Sequence, residues 1–302
     1  MQLIIKAAEV WLPDSSGRFL ALGSSHYGAL HEFESASKSL AFAFGEGLPG
    51  QTWERRTPLL WRDLSSEHFQ RTELAQQAGI ECGLSIPIIC GEFLLAVVVL
   101  FCSNGETDQA CGAIEIWGNL DHNPNELKLC DGYYGHLEQF EWLSRRLTIM
   151  RGRGLPGLAW DNNQPVIMNN LTQSTTFLRS RAAADCGLNT GLSIPFFTDD
   201  KQVQVVTFLS NNAAPIASRF EIWVPDPHHE CLIFQSGYCA DAGELNEHYT
   251  NRSYAKGHGV LGEVWLTGRP LIAETTLSQD ERALYLPLND NGMLTAVIVF
   301  VL

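Results

Sequence analysis

The chain has 302 residues, 45% apolar and 18% charged, a composition that leaves no room for extended disorder and suits two or three small cores better than one. Thirty-four acidic against 20 basic side chains give a formal net charge of −14, the wrong sign for attraction to nucleic-acid backbones or anionic membranes. The longest wholly apolar run, FLLAVVVLF at 93–101, is about half of a membrane-spanning helix, so neither a membrane nor a nucleic-acid partner is expected.

In chain order, a strand opens around EVW at 9–11 and a second follows at 18–28, separated by turn residues that include Pro13, Asp14 and Gly17; the pair reads as a hairpin. GEGLPGQTW (45–53) then places three glycines ahead of a short helix whose proline suits a first helical turn. PLLWRDL (58–64) reads as a short strand and SEHFQRTELAQQAG (66–79) as a helix. GLSIP at 83–87 and the apolar run at 93–101 complete the set with two buried strands.

The whole order then recurs. EIW stands at 115–117 and again at 221–223, each 106 residues after its predecessor. Second strands follow at 126–135 and 230–239, and an amphipathic helix with Leu137, Phe140, Leu143 and Leu147 on one face follows at 136–147. The glycine turn returns as GRGLPGLAW (152–160) and GHGVLGEVW (257–265), with strands after it at 165–171 and 270–277 and a helix at 174–187. A period near 106 announces repeated domains rather than a solenoid. The boundaries are read as 1–106, 107–214 and 215–302, the last unit having lost most of the helix before its closing strands.

This order, with Gly-Leu-Pro-Gly-x-x-Trp followed by a proline-led strand and then GLSIP, resembles that of GAF domains, three times over. The resemblance implies an α+β fold: three repeated GAF-like, PAS-related units, each a central antiparallel sheet with short helices over one face. It also departs from the family, since the short connections between units leave no space for long terminal helices. Each sheet would then carry a bare apolar back larger than a soluble monomer normally exposes, so the units are expected to pack sheet against sheet, or two chains to do so as a homodimer.

The glycine turn lacks the Lys-Ser/Thr pair of a phosphate loop and the acidic residue of a dinucleotide fingerprint, and is read as structural. In GAF domains the helix after it and the next strand and helix roof a ligand pocket. The resemblance therefore implies a pocket lined by Trp53, Trp61, Asp63, Phe69, Leu84 and Ile86 in the first unit and by Trp160, Ile167, Asn169, Phe177, Arg181 and Leu192 in the second. No Cys-His pair for bilin attachment and no cyclic-nucleotide signature is present, so no cofactor is expected; His228 and His229 are read as solvated, with no metal site. Eight cysteines show no CxxC spacing and fit a reduced, cytoplasmic compartment. The resulting expectation is a non-enzymatic sensory or regulatory module that binds a small organic ligand in unit 1 or 2 and acts on a separate protein partner. Two alternatives stand beside it: a scaffold whose pockets are filled by its own side chains, and a thiol-dependent sulfoxide reductase using Cys82, Cys90 and Cys102.

Overall fold

A computed structural model describes residues 2–65, 68–103, 110–119, 123–197, 202–249, 251–275 and 281–302. The predicted boundary at 106, the start of the helix read at 66–79 and the end of the strand read at 270–277 lie outside these residues.

The first repeat contains β1 (Ile5–Pro13), β2 (Phe19–His26), α1 (His31–Ser37), β3 (Ala41–Ala43), α2 (Gly47–Arg55), β4 (Leu59–Trp61), α3 (Thr72–Gln77), β5 (Cys82–Cys90) and β6 (Phe93–Cys102). The second follows the same order: β7 (Gly112–Gly118), β8 (Glu126–Tyr133), α4 (Glu138–Ser144), β9 (Thr148–Met150), α5 (Gly154–Asn162), β10 (Val166–Asn169), α6 (Ser180–Cys186), β11 (Thr190–Phe197) and β12 (Val203–Ser210). The third consists of β13 (Arg219–Pro225), β14 (Cys231–Cys239), β15 (Gly243–Glu244), α7 (Asn246–Tyr249), β16 (Ser253–Ala255), α8 (Gly259–Thr267), β17 (Leu271–Glu274), β18 (Arg282–Asp290) and β19 (Met293–Val301). Only residues 275–281 join β17 to β18, where the first two repeats place a helix.

Each repeat forms its own antiparallel sheet with one strand order: β3-β2-β1-β6-β5-β4, β9-β8-β7-β12-β11-β10 and β15-β14-β13-β19-β18-β17. The first and last strands of each repeat therefore pair at the centre, β1 with β6, β7 with β12 and β13 with β19. All three opening hairpins carry a bulge at the same place, between Val10 and Trp11, Ile116 and Trp117, and Ile222 and Trp223. The helices predicted at 66–79 and 174–187 are shorter than their sequence pattern. In the second repeat the reason is local: Ser174 Oγ accepts the N–H groups of Thr176 and Phe177, which closes a turn ahead of the helix.

The three glycines of each turn have separate duties. The first and second, Gly45 and Gly47, Gly152 and Gly154, Gly257 and Gly259, all have positive φ between 57° and 79°, which a side chain resists. The third sits against the preceding short strand: a Cβ on Gly50, Gly157 or Gly262 would lie 2.1, 2.3 or 2.1 Å from the carbonyl oxygen of Ala43, Met150 or Ala255. The first glycine N–H donates to the third glycine's carbonyl at 2.8–2.9 Å, and the next N–H, of Glu46, Arg153 or His258, donates to that same strand carbonyl at 3.0 Å. Donors that would cradle a phosphate are thus consumed in fastening helix to strand.

The chain divides into two compact bodies, Ile5–Ser103 with Ala217–Leu302 and Asn104–Ile216 with the residues before Ile5. The first joins repeats 1 and 3. There β5 packs on β18, and β17 reaches β1 and β2, with the Ile272 N–H donating to Ser24 Oγ at 3.0 Å. Burial, and then the neighbouring Arg282, lower the pKa of His26 in this region. Apolar residues facing away from the helices, such as Leu84, Ile86 and Val98 in repeat 1 and Leu284, Leu286 and Ile298 in repeat 3, are fully buried. Within this body the two sheets cover each other, as expected for sheets without terminal helices.

Gly157→Ala should therefore cost about 2–4 kcal/mol of stability, because the added methyl meets backbone rather than a movable side chain. Gly187→Ala has positive φ but nothing within 4 Å and should cost about 1 kcal/mol. Urea unfolding of the two variants checks the order, and equal costs would contradict the close-approach account.

Candidate functional site

On the helix-covered face of each sheet, the first strand presents a glutamate and a tryptophan two residues apart, Glu9 and Trp11, Glu115 and Trp117, Glu221 and Trp223. Residues i and i+2 share one face of a strand, so the carboxylate is delivered into the apolar layer beneath the helices. Glu9 and Glu115 are fully buried and Glu221 nearly so. A carboxylate in such a place must be paired and hydrogen-bonded.

In the first repeat Trp11 Nε1–H donates to Glu9 Oε2 at 2.9 Å and the Tyr27 hydroxyl donates to Oε1 at 2.8 Å. The Arg71 guanidinium pairs with Glu9 through both terminal nitrogens and also donates to Ser37 Oγ. Ser37 in turn donates to the Phe33 carbonyl at 2.6 Å. Arg71 is itself buried, with the rings of Phe33, Phe101 and Phe69 centred 4.5, 5.0 and 5.3 Å from its guanidinium carbon. The second repeat matches it group for group. Trp117 donates to Glu115 at 2.9 Å, Tyr134 at 2.8 Å and Arg179 through both terminal nitrogens, while Ser144 accepts from Arg179 and donates to the Phe140 carbonyl. Phe140, Trp117 and Phe177 enclose Arg179 at 4.5, 5.3 and 5.4 Å.

The third repeat has no arginine among residues 275–281, which join β17 to β18, and satisfies its glutamate from elsewhere. Arg219, on the opening strand where the other repeats have Ala7 and Ala113, donates to Glu221 at 2.8 Å and to Glu281 at 3.1 Å. Tyr249 donates from α7 at 2.8 Å, whereas Tyr27 and Tyr134 follow the second strand. Trp223 Nε1–H completes the set at 2.8 Å.

Burial is the largest influence on Glu115 and pushes its pKa up. The charge of Arg179 and the hydrogen bonds from Arg179, Trp117 and Tyr134 outweigh it, so Glu115 is held below the usual carboxylate value. Burial first, and the adjacent carboxylate second, drive Tyr27, Tyr134 and Tyr249 upward, so all three remain neutral donors.

Five of the twelve residues predicted to line a pocket lie in the layer under the helices. Phe69 and Phe177 touch the arginines, Trp61 stands 6.4 Å from Phe69, Trp53 meets Phe44 edge-on at 5.4 Å, and Trp160 is buried with Trp117 and Ile149. The others need correction. Gly83 and Gly191 face Leu48 and Leu155 on the helices, so their strand neighbours Leu84 and Leu192, and with them Ile86, point to the opposite face of the sheet. Val166 and Met168 join the core under the helices, which turns Ile167 and Asn169 away from it. Asp63 is exposed and accepts the N–H and hydroxyl of Ser65, which hold its carboxyl below the usual range. Arg181 is exposed; the inward arginine is Arg179, two residues earlier. Sequence reading missed the glutamates, although one acidic residue at a fixed register in three apolar strands was the available signal, and Phe-x-Arg at 69–71 and 177–179 marked its partner.

Among the described residues of the first repeat, the space between α2, β6 and the segment holding Phe69 and Arg71 is a cavity of about 10 Å³, room for one water at most. Of this repeat's cysteines, Cys90 is exposed and Cys82 and Cys102 are buried. Cys82 and Cys102 pair across β5 and β6, and burial raises the Cys82 pKa well above its ordinary value.

Replacing Arg179 with Met should cost about 3–5 kcal/mol at pH 7, because it strands a buried carboxylate, and Glu115→Gln in the same chain should return part of that loss. In the intact protein the folded-state pKa of Glu115 is depressed, so its contribution is complete above the unfolded value of about 4.3 and is lost as pH falls below it. In Arg179→Met burial acts unopposed, the folded value rises, and the deficit relative to wild type should narrow on acidification. Urea unfolding between pH 7 and pH 4 measures both; a deficit independent of pH would contradict the pairing.

No family model matches this chain, and no curated protein matches it. Among solved structures, the GAF domain of a phosphoenolpyruvate-protein phosphotransferase from Coxiella burnetii is similar at 25% identity, with a TM-score of 0.27, and the match covers 32% of this chain and 56% of that one. The nlh2 GAF domain of A. aeolicus, solved in an inactive state, matches at 20% identity and TM-score 0.27 over 34% and 60%. A GAF domain/HD domain protein from Geobacter sulfurreducens matches at 16% identity and TM-score 0.28 over 33% and 64%. This chain therefore spans less than two thirds of each of these structures, and each of them covers about one third of it. Each of these three solved structures is a GAF domain or a protein that contains one.

Proposed function

We propose that this chain is a non-catalytic regulatory module that acts through contacts with a protein partner, and that the chambers under the helices of its first two repeats serve as cores rather than as ligand sites. One observation carries this reading: the aromatic-enclosed Arg71–Glu9 pair fills the first chamber down to about 10 Å³, and Arg179–Glu115 repeats the arrangement in the second. A ligand entering either would have to displace a buried arginine and leave its glutamate unpaired, which costs several kcal/mol before any contact is gained.

The expectation of a small organic ligand in those chambers loses its support from the same geometry, and the scaffold alternative gains it. Thiol catalysis is disfavoured on chemical grounds. A sulfoxide reductase needs a thiolate, whereas burial drives Cys82, one of the three cysteines of that alternative, well above its ordinary value and keeps it protonated near neutrality.

Hydrogen–deuterium exchange of the full chain against a panel of nucleotides, amino acids and organic acids tests the reading. At a hundred times its Kd a ligand would add about 2.7 kcal/mol, visible as slowed exchange wherever it binds. No member of the panel should protect α2, β4 and α3 or α5, β10 and α6; protection of either set would overturn the filled-chamber account.

A further inference from the structure

In the body formed by repeats 1 and 3, the hairpin turn of β5–β6 and the hairpin turn of β18–β19 lie side by side. A Cβ placed on Gly292 would lie 4.0 Å from Cys90 Sγ. The end of α8 closes a third side, where a Cβ on Gly268 would come within 3.2 Å of Leu95 Cδ1. Between them is a groove of about 430 Å³, within the range of small-molecule sites, and far larger than the space under the helices of repeat 1.

The lining has a definite chemical character. Leu95, Leu294 and the Trp265 ring supply apolar wall, and Leu266 and Met293 extend it at the rim, 61% and 71% exposed. No lining residue is acidic, and Lys256 is the single charged one. Its ammonium stands 5.3 Å over the Trp265 ring, and among the described residues no carboxylate lies within ion-pair distance of it. In a chain of net charge −14, a cation held over an aromatic ring, without a carboxylate partner, in a groove free of acids is suited to an anion from outside.

We propose that this groove binds an amphipathic organic anion. Its acid group pairs with Lys256, and its apolar body lies against Trp265, Leu95 and Leu294. The site belongs to neither repeat alone: Leu95 and Cys90 come from the first, Lys256, Trp265 and Leu294 from the third. Occupancy therefore favours the arrangement that holds the two hairpins together, by as much as the ligand's affinity differs between that arrangement and a looser one. The site is independent of the chambers under the helices, so a small-molecule signal could reach a module whose repeat cores are filled.

The probe is 8-anilinonaphthalene-1-sulfonate, whose sulfonate stands for the acid group, titrated against the full chain beside its neutral twin N-phenyl-1-naphthylamine. The sulfonate should bind saturably and slow iodoacetamide alkylation of Cys90, read by peptide mapping. Lys256→Glu should weaken the sulfonate by at least about tenfold, since attraction becomes repulsion, and leave the neutral twin within about twofold; Leu95→Asn should weaken both. Lys256 is exposed, and an unchanged melting temperature will confirm that its variant folds. Sulfonate binding indifferent to Lys256→Glu, equal weakening of the neutral twin, or undiminished Cys90 alkylation would each overturn the proposal. None of these results bears on the filled chambers, because exchange at α2, α3, α5 and α6 reads those separately.

Discussion

A carboxylate buried in an apolar layer is the constraint from which most of this molecule follows. Charge cannot be moved there without a cation and enough donors to replace water, so each repeat must bring a tryptophan indole, a tyrosine hydroxyl and an arginine to one point. The first two repeats do so with the same residues at corresponding places. In the third, residues 275–281 between β17 and β18 include no arginine, and the cation comes from Arg219 on the strand itself and the hydroxyl from Tyr249 on a different element. The three glutamates share one requirement and meet it with partner sets that differ between repeats.

The glycine turn and the ion pair cooperate in closing the repeat. The turn draws the helix to within touching distance of the short edge strand, and its N–H groups are spent on the third glycine's carbonyl and on that strand. Rings from α1 or α4, from the sheet and from the arginine's own segment enclose the guanidinium. The layer under the helices is occupied by the chain's own guanidinium.

Much of the architecture could be read from the sequence because it is written in periodicity. Recurrence of EVW and EIW at 106 residues, the three glycine turns and the paired closing strands fixed the element order, and the absence of long terminal helices implied the sheet-to-sheet cover seen between repeats 1 and 3. The site was less legible, for two physical reasons. A strand alternates faces at every residue, so the apolar character of Leu84, Ile86 and Leu192 said that they were buried without saying on which side; the neighbouring Gly83 and Gly191, whose faces must admit Leu48 and Leu155, held that information. Arg179 and Arg181 are equally basic and two residues apart, so residue type does not say which one the local backbone turns into the core. Glu9, Glu115 and Glu221 were overlooked because a glutamate in a strand is ordinarily solvated, and their shared register was read as a marker of repetition instead of a demand for a partner.

The account stands or falls on Glu115 being a buried, ionised and arginine-paired carboxylate. Carbon-13 NMR of glutamate-labelled protein, with the Glu115 carboxyl resonance assigned by its loss in Glu115→Gln, follows that group directly through acid titration. A midpoint below the ordinary glutamate value of about 4.3, which moves above it when Arg179 is replaced by Met, is the predicted result. A midpoint at or above the ordinary value in the intact chain would contradict it.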